Sequence, residues 1–251
     1  MDLTDYRNSS SEQQRLADLM GLVPGDAGSA LDVGARDGHI STLLADRSLR
    51  VTALDLEKPK TADSRIHCVK GDITALELAN SSFDLVLCAE VLEHIPPLLL
   101  KRSCSELERV SKRYLIIGVP YRQDIRFGRT TCGTCGGVNP PYGHVNRFDE
   151  LRLQALFPDC LIEATSFVGT AEMGTNALSA ALLNVAGNPF GTYSQDEACI
   201  HCGAQILRPG PRHLMQKILT RAATWARAAQ KPLHRPHANW IHMRLRKRYP
   251  G

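Results

Sequence analysis

No apolar run in this sequence approaches the roughly 18 residues that a membrane-spanning helix needs, so no part of the chain is expected to cross a bilayer. The first residues, Met1-Asp2-Leu3-Thr4-Asp5, lack the apolar stretch of a secretory signal. The expected location is therefore cytoplasmic and reducing, where the eight cysteines serve as thiols or metal ligands rather than disulfides. Aromatic residues are scarce at 6%, but 43% hydrophobic and 22% charged residues exclude a wholly disordered, collagen-like or disulfide-dense chain. Acidic side chains are missing altogether from residues 208–251, which hold 11 Lys or Arg. Residues 1–207 hold the other 19 basic and all 26 acidic side chains, a net charge of −7. The tail is thus a separate electrostatic object, suited to a membrane, a nucleic acid, a polyanionic substrate or the acidic body itself.

What is present is an alternation of short strands and helices. An amphipathic helix over residues 11–20 closes at Gly21. Strands follow at Ala30-Leu31-Asp32-Val33, Val51-Thr52-Ala53-Leu54, Ile66-His67-Cys68-Val69, Phe83–Cys88 and Tyr114–Val119, with helices near 40–45 and 98–110. This rhythm implies an α/β fold, a parallel sheet covered on both faces, with ligands at the carboxyl ends of the strands. After Pro120 it breaks into a glycine- and proline-rich stretch to about Asn146. A helix (149–156), a strand (161–168), a helix-like segment (176–186) and a last short strand, Gln205-Ile206-Leu207, complete the body.

The first strand ends in Gly34-Ala35-Arg36-Asp37-Gly38, a turn in which glycine lets the backbone approach a ligand. The dinucleotide pattern G-x-G-x-x-G is not met, because Arg36 and His39 stand at its second and third glycines, which argues against nicotinamide cofactors. Asp55, 21 residues past Gly34, ends the second strand, where a carboxylate can accept both hydroxyls of a ribose. The third strand ends in Gly71-Asp72-Ile73, and the fourth leads into Ala89-Glu90-Val91-Leu92-Glu93-His94-Ile95.

With these four strand ends in order, the sequence resembles the class I S-adenosylmethionine-dependent methyltransferases over about residues 11–120. It resembles in particular the type 11-like group with a Phe-Asp-Leu-Val … Leu-Glu-His-Ile signature, met here by Phe83–Val86 and Leu92–Ile95. The resemblance implies a Rossmann-like seven-stranded methyltransferase sheet. It also implies that Asp32, Gly34 and Gly38 shape the methionine pocket, that Asp55 holds the ribose, that Asp72 and Ile73 flank the adenine, and that Ala89 and Glu90 line the methionine and acceptor side. The family usually has glycine where Arg36 stands; this side chain either points to solvent or crowds the donor.

Cys132-Gly133-Thr134-Cys135-Gly136 and Cys199-Ile200-His201-Cys202-Gly203 are two Cys-x-x-Cys-Gly knuckles, the turn that aims two thiolates at one tetrahedral ion. The spacer of 63 residues is long for structural zinc. The methyltransferase sheet supplies the missing argument: the first knuckle follows the fifth strand and the second precedes the expected seventh, Gln205–Leu207, which runs antiparallel beside the fifth. The expectation is a structural Zn2+ on Cys132, Cys135, Cys199 and Cys202, with His144 or His201 replacing one thiolate as the variant. The zinc would hold insertions of about 121–147 and 170–204 as a wall over the acceptor pocket. The expected domains are a methyltransferase body, 1–207, and a basic helical tail, 208–251.

In that tail, residues 212–229 are periodic, with Leu214, Met215, Ile218, Leu219, Ala222, Trp225, Ala226 and Ala229 on one face and cations on the other. Docking on the body, an anionic membrane at the inner face of the cell, and nucleic acid are its competing partners. For catalysis, positioning supplies most of the rate of a methyl displacement, and a base is needed only where the acceptor must lose a proton. The candidate bases are His94, His144 and Glu90. The favoured function is O-methylation of a sugar, a glycan or another small molecule. RNA methylation is the second reading, weakened by the lack of an aromatic-basic stripe for stacking bases. A non-catalytic scaffold, in which Arg36 marks a degraded pocket, is the third.

Overall fold

The computed structural model describes residues 7–188, 198–207 and 210–248. Two compact units share the chain: unit 1 takes residues 1–121, 148–169 and 238–251, and unit 2 takes 122–147 and 170–237.

Unit 1 is built on a seven-stranded sheet. Its strands are β1 (Ser29–Val33), β2 (Arg50–Asp55), β3 (Ile66–Lys70), β4 (Phe83–Ala89), β5 (Ser111–Pro120), β8 (Cys160–Val168) and β9 (Trp240–Lys247), in the spatial order 3-2-1-4-5-9-8. The first five are parallel, and β9 runs antiparallel to both β5 and β8. Among the described residues four helices belong to this unit: α1 (Ser10–Gly21), α2 (His39–Ala45), α3 (Pro97–Val110) and α4 (Glu150–Leu156). Their starts follow from local chemistry. The Ser9 hydroxyl accepts the Glu12 N–H at 3.3 Å, Pro97 supplies a preset φ at the first turn of α3, and the Asp149 carboxylate accepts the Arg152 N–H at 2.9 Å.

The central strands β1, β4 and β5 are mostly apolar and buried because helices cover both faces. Leu31, Val33, Val86, Cys88, Leu115, Ile117, Ile241 and Met243 join Leu100, Leu107 and Phe157 in one core, and Ala30, Val51, Ala53, Leu85, Leu87 and Ile116 join Leu19 and Leu44 in the other. The order and direction of the strands match the Rossmann-like methyltransferase fold. They leave the carboxyl ends of β1, β2, β3 and β4 at one edge of the sheet, where the turns identified from the sequence lie.

The last strand is a correction. Gln205-Ile206-Leu207 does not enter the sheet; Gln205 makes only an isolated bridge to Ala198, and Leu207 is exposed. Three residues with one buried side chain cannot match a ten-residue neighbour. Trp240–Lys247 can, because Ile241, Met243 and Leu245 alternate into the core while Arg244 and Arg246 turn to the other face and meet Glu163 at 3.1 and 3.5 Å. The basic tail expected over 208–251 is therefore not one object.

Unit 2 contains the short hairpin β6 (Thr130–Thr131) and β7 (Val138–Asn139) and the helices α5 (Ala177–Val185) and α6 (Leu214–Ala228). Residues 208–251, expected as one tail, thus contribute the helix α6 to unit 2 and the strand β9 to unit 1. A chain ending at His237 is expected to lose the β9 ladder, expose the edges of β5 and β8 and aggregate; a soluble product with the parent's cooperative thermal unfolding would refute this assignment.

Candidate active site

The turn after β1 is held by its own backbone. Gly34 has φ +78°, its N–H and that of Ala35 donate to the Leu54 carbonyl at 2.8 and 3.1 Å, and a Cβ placed there would lie 2.2 Å from Val91 Cγ2. Only glycine fits. Gly38, at φ +82°, caps α2. Asp32 is buried, and the Ser41 hydroxyl donates to it at 2.6 Å; burial pushes its carboxyl up to about 6 against the pull of that hydrogen bond. It braces β1 against α2.

Arg36 also adopts positive φ, +50°, with an exposed side chain, and its backbone N–H donates to Asp55 Oδ2 at 2.8 Å. Of the two alternatives for Arg36, the geometry is the one pointing to solvent. The Leu56 N–H donates to the other Asp55 oxygen at 2.7 Å. Asp72 is exposed and turns its loop by accepting the Thr74 N–H at 2.8 Å, while Ile73 is buried in the core behind it. Ala89 is buried at the end of β4.

Beyond Ala89 the chain takes a left-handed step at Glu90, φ +57°, whose N–H donates to the Gly118 carbonyl at 2.9 Å. The Trp240 indole N–H donates to Glu90 Oε2 at 3.3 Å, and Oε1 is buried with no hydrogen-bond partner among the described residues. Burial pushes the Glu90 carboxyl up to about 7, opposed by Arg15 and by the Trp240 hydrogen bond. Glu93, fully buried, is pushed well above the usual carboxylate range by burial and by Glu90. Beneath them Arg15 binds Glu12 through two short hydrogen bonds, 2.7 and 2.6 Å, both side chains being buried on α1. His242, fully buried, places Nδ1 2.6 Å from Asp18 Oδ2.

The sequence reading did not reach Glu12, Arg15, Asp18, Trp240 or His242. Charged residues on a helix read as its solvent face, and the two aromatic residues fell in the segment taken for a tail; the alternation of Ile241, Met243 and Leu245 was the available signal. His94 is exposed on the turn after β4. His144 belongs to unit 2, where its Nδ1 lies 2.6 Å from the Gln123 side-chain carbonyl.

In unit 2 the four knuckle sulfurs converge. The Sγ atoms of Cys132, Cys135, Cys199 and Cys202 lie within 4.8 Å of one another, with Cys132–Cys202 at 3.9 Å and Cys135–Cys199 at 3.7 Å. The knuckles repeat each other. Gly136 and Gly203, both at φ +72°, donate their N–H to the Cys132 and Cys199 carbonyls at 2.9 and 2.8 Å. N–H groups of Thr134 and Gly137 approach Cys132 and Cys135 Sγ at 3.4 Å, and the Asn139 amide approaches Cys199 Sγ at 3.5 Å. The His201 ring nitrogen meets the Val138 carbonyl at 3.0 Å, and the cluster of four sulfurs includes neither His201 nor His144.

Residues 31–116 match the family described as a methyltransferase domain. The ubiquinone biosynthesis O-methyltransferase of Pseudomonas paraeruginosa (strain DSM 24068 / PA7) is 32% identical over 118 residues, covering 37% of this chain and 51% of that protein. Its namesake from Xanthomonas campestris pv. campestris (strain B100) is 35% identical over 88 residues, 31% and 37% of the two chains. The chain thus spans about half the length of the first of these curated relatives, or less. Among solved structures, the 1,6-didemethyltoxoflavin-N1-methyltransferase of Burkholderia thailandensis, with bound S-adenosylhomocysteine, superposes with a TM-score of 0.52 at 15% identity, covering 97% of this chain and 83% of that one. The N-methyltransferase NodS of Bradyrhizobium japonicum WM9, in complex with S-adenosylhomocysteine, gives 0.54 at 14% identity, over 98% and 91%. The [4+2]-cyclase SpnF gives 0.55 at 16%, over 96% and 83%. These likenesses establish the fold; the cyclase among them is a reminder that the reaction must be argued from the site.

The raised Glu90 carboxyl has a consequence for stability. Between its ordinary value of 4.5 and about 7 the folded chain holds a proton that the unfolded chain has released, so stability falls as pH rises through that window. Glu90→Gln, which can still accept the Trp240 N–H, should flatten this decline and stabilise the protein by roughly 3 kcal/mol at about pH 8 while changing little at about pH 4. Urea unfolding at both pH values checks it, and an unchanged pH dependence would exclude a buried, protonated Glu90.

Proposed function

We propose that the protein is an S-adenosylmethionine-dependent methyltransferase acting on a hydroxyl of a small molecule, with a sugar or glycan precursor as the favoured acceptor. The observation that carries this reading is Asp55. A carboxylate offers about four lone-pair sites, and each Asp55 oxygen takes a single backbone N–H, from Arg36 or Leu56. Room is left on both oxygens for the two ribose hydroxyls, at the strand end where the fold binds nucleotides. The Gly34 turn, Asp72 and Ile73 stand at the neighbouring strand ends and would bound the methionine and adenine portions. The exposed Arg36 side chain supports an open donor crevice over the degraded pocket of the scaffold reading.

The bound donor supplies a methyl group on a positively charged sulfur. The chain's part is to hold the acceptor in line, to exclude water and to take the hydroxyl proton. Glu90, half-buried with its Oε1 sealed from solvent and its carboxyl pushed up to about 7 by desolvation, is matched to that task at neutral pH, with His94 and His144 as the other candidate bases. The names of the curated relatives support oxygen as the atom methylated; the sugar rests on family-level resemblance alone. Calorimetry with S-adenosylhomocysteine should show one site per chain. Asp55→Asn should weaken it about 10- to 100-fold, the loss of charge-assisted hydrogen bonds worth roughly 1.5–3 kcal/mol. Absence of binding by the parent protein would end the reading.

The four cysteines are read as a structural zinc site. A tetrahedral ion with Zn–S bonds of about 2.3 Å separates its sulfurs by about 3.8 Å, and the Cys132–Cys202 and Cys135–Cys199 separations are 3.9 and 3.7 Å. Four thiolates leave no position for substrate or water, so the ion would tie the segment around 132–139 to that around 199–205 within unit 2. Metal analysis should find one zinc per chain, absent from the double variant Cys135→Ser/Cys202→Ser, and chelation should lower the melting temperature while leaving donor affinity intact. A metal-free preparation with unchanged melting temperature would refute the site.

A further inference from the structure

An amphipathic helix in a globular protein normally hides its large apolar side chains. α6 does the reverse. It buries the small residues Thr220 and Ala223 and runs antiparallel to α5, the Asn176 side chain donating to the Ala226 carbonyl at 2.7 Å. Its opposite arc carries Leu214, Met215, Ile218 and Trp225, exposed by 74, 64, 53 and 66%. Of the apolar face recognised in the sequence, these four side chains are open to solvent, while Leu219, Ala222 and Ala226 are half-buried. Leu178 and Val185 of α5 are exposed as well, by 61 and 74%.

The charge on this arc is of one sign. Lys217 and Arg221 lie between and beside the apolar side chains, both exposed, with Arg212 just before the helix and the Arg221 guanidinium 5.8 Å from the Trp225 ring centre. Residues 208–251 contribute no carboxylate to balance them. Two demands therefore meet on one surface: hydrocarbon for Leu214, Ile218 and Trp225, and anions for Lys217 and Arg221. A nucleic acid would satisfy the cations and leave the apolar ridge wet. A bilayer surface with anionic headgroups satisfies both, with Trp at the boundary between headgroup and acyl chain.

We propose that α6 is an interfacial membrane-binding helix, laid flat with the Leu214–Ile218–Trp225 ridge in the headgroup layer of an anionic bilayer and Lys217 and Arg221 on its phosphates. No helix among the described residues is long and apolar enough to cross a membrane, so the contact is peripheral. The proposal goes beyond the catalytic reading and does not depend on it, because the binding requires neither methyl donor nor acceptor.

The test uses the full chain with vesicles of phosphatidylcholine alone or with a minority of phosphatidylglycerol. The protein should float with the phosphatidylglycerol vesicles, with a blue shift of tryptophan emission that is lost in Trp225→Phe. Leu214→Ser/Ile218→Ser should weaken partitioning about tenfold or more with the charge intact. Lys217→Gln/Arg221→Gln should weaken it by a similar factor, about 1 kcal/mol per cation, and should remove most of its salt dependence. Flotation indifferent to the Leu214 and Ile218 changes would overturn the proposal. So would a dimer in light scattering that covers Trp225 and dissociates on Ile218→Asp, or salt-sensitive RNA binding with no vesicle binding. Donor calorimetry on the same preparations reports separately on the catalytic reading.

Discussion

The β5–β9 ladder is the constraint on which the rest of the structure depends. Without it β5, ten residues of almost wholly buried strand, would present an open edge. With it, the chain must leave the sheet after β5 and come back from the opposite direction. The exits are pinned together: the Tyr121 N–H donates to the Asn239 carbonyl at 2.7 Å, and the Asn239 N–H donates to the Val168 carbonyl at 2.9 Å. Both excursions that make unit 2 therefore start and finish at neighbouring strand ends. The same ladder sets Trp240 opposite Pro120 and His242 opposite Gly118, which delivers an indole to Glu90 and an imidazole to Asp18.

That delivery creates an unusual electrostatic situation on the α1 side of the sheet. Glu12, Asp18, Glu90 and Glu93 share a largely buried region with one arginine and one histidine. Burial disfavours every charge there, and the responses differ with the partners available. Glu12 keeps a bidentate arginine. His242 is pushed down by burial while its hydrogen bond with Asp18 pulls the other way. Glu90 and Glu93, with less help, are pushed up. Perturbed groups of this kind concentrate where proteins do chemistry, and the cost in stability is borne by the two cores that flank the sheet.

Unit 2 presents a different physics. Its two knuckles are separately folded turns whose thiolates repel one another unless a cation joins them, and its helix pair exposes apolar side chains that water does not favour. The proposals of a metal ion and of a bilayer surface rest on these two features.

The parallel half of the sheet was readable because local apolar runs and their terminal turns carry it: Leu31–Val33, Val51–Leu54 and Phe83–Cys88 are strands, and Gly34, Asp55, Asp72 and Glu90 stand at their ends as expected. The four sulfurs expected together do lie within 4.8 Å of one another, though the strand at 205–207 used to bring them there does not form in the sheet. The sequence by itself determined these short-range features, because periodicity and turn chemistry act within a few residues. Only the tertiary structure decided which late segment closes the sheet, that Trp240 meets Glu90 while Arg15 acts on it through its charge, and that α6 turns Leu214, Ile218 and Trp225 outward. Each of these depends on pairing across many residues, where hydrogen bonds and burial are compared between distant segments rather than fixed by neighbours in the chain.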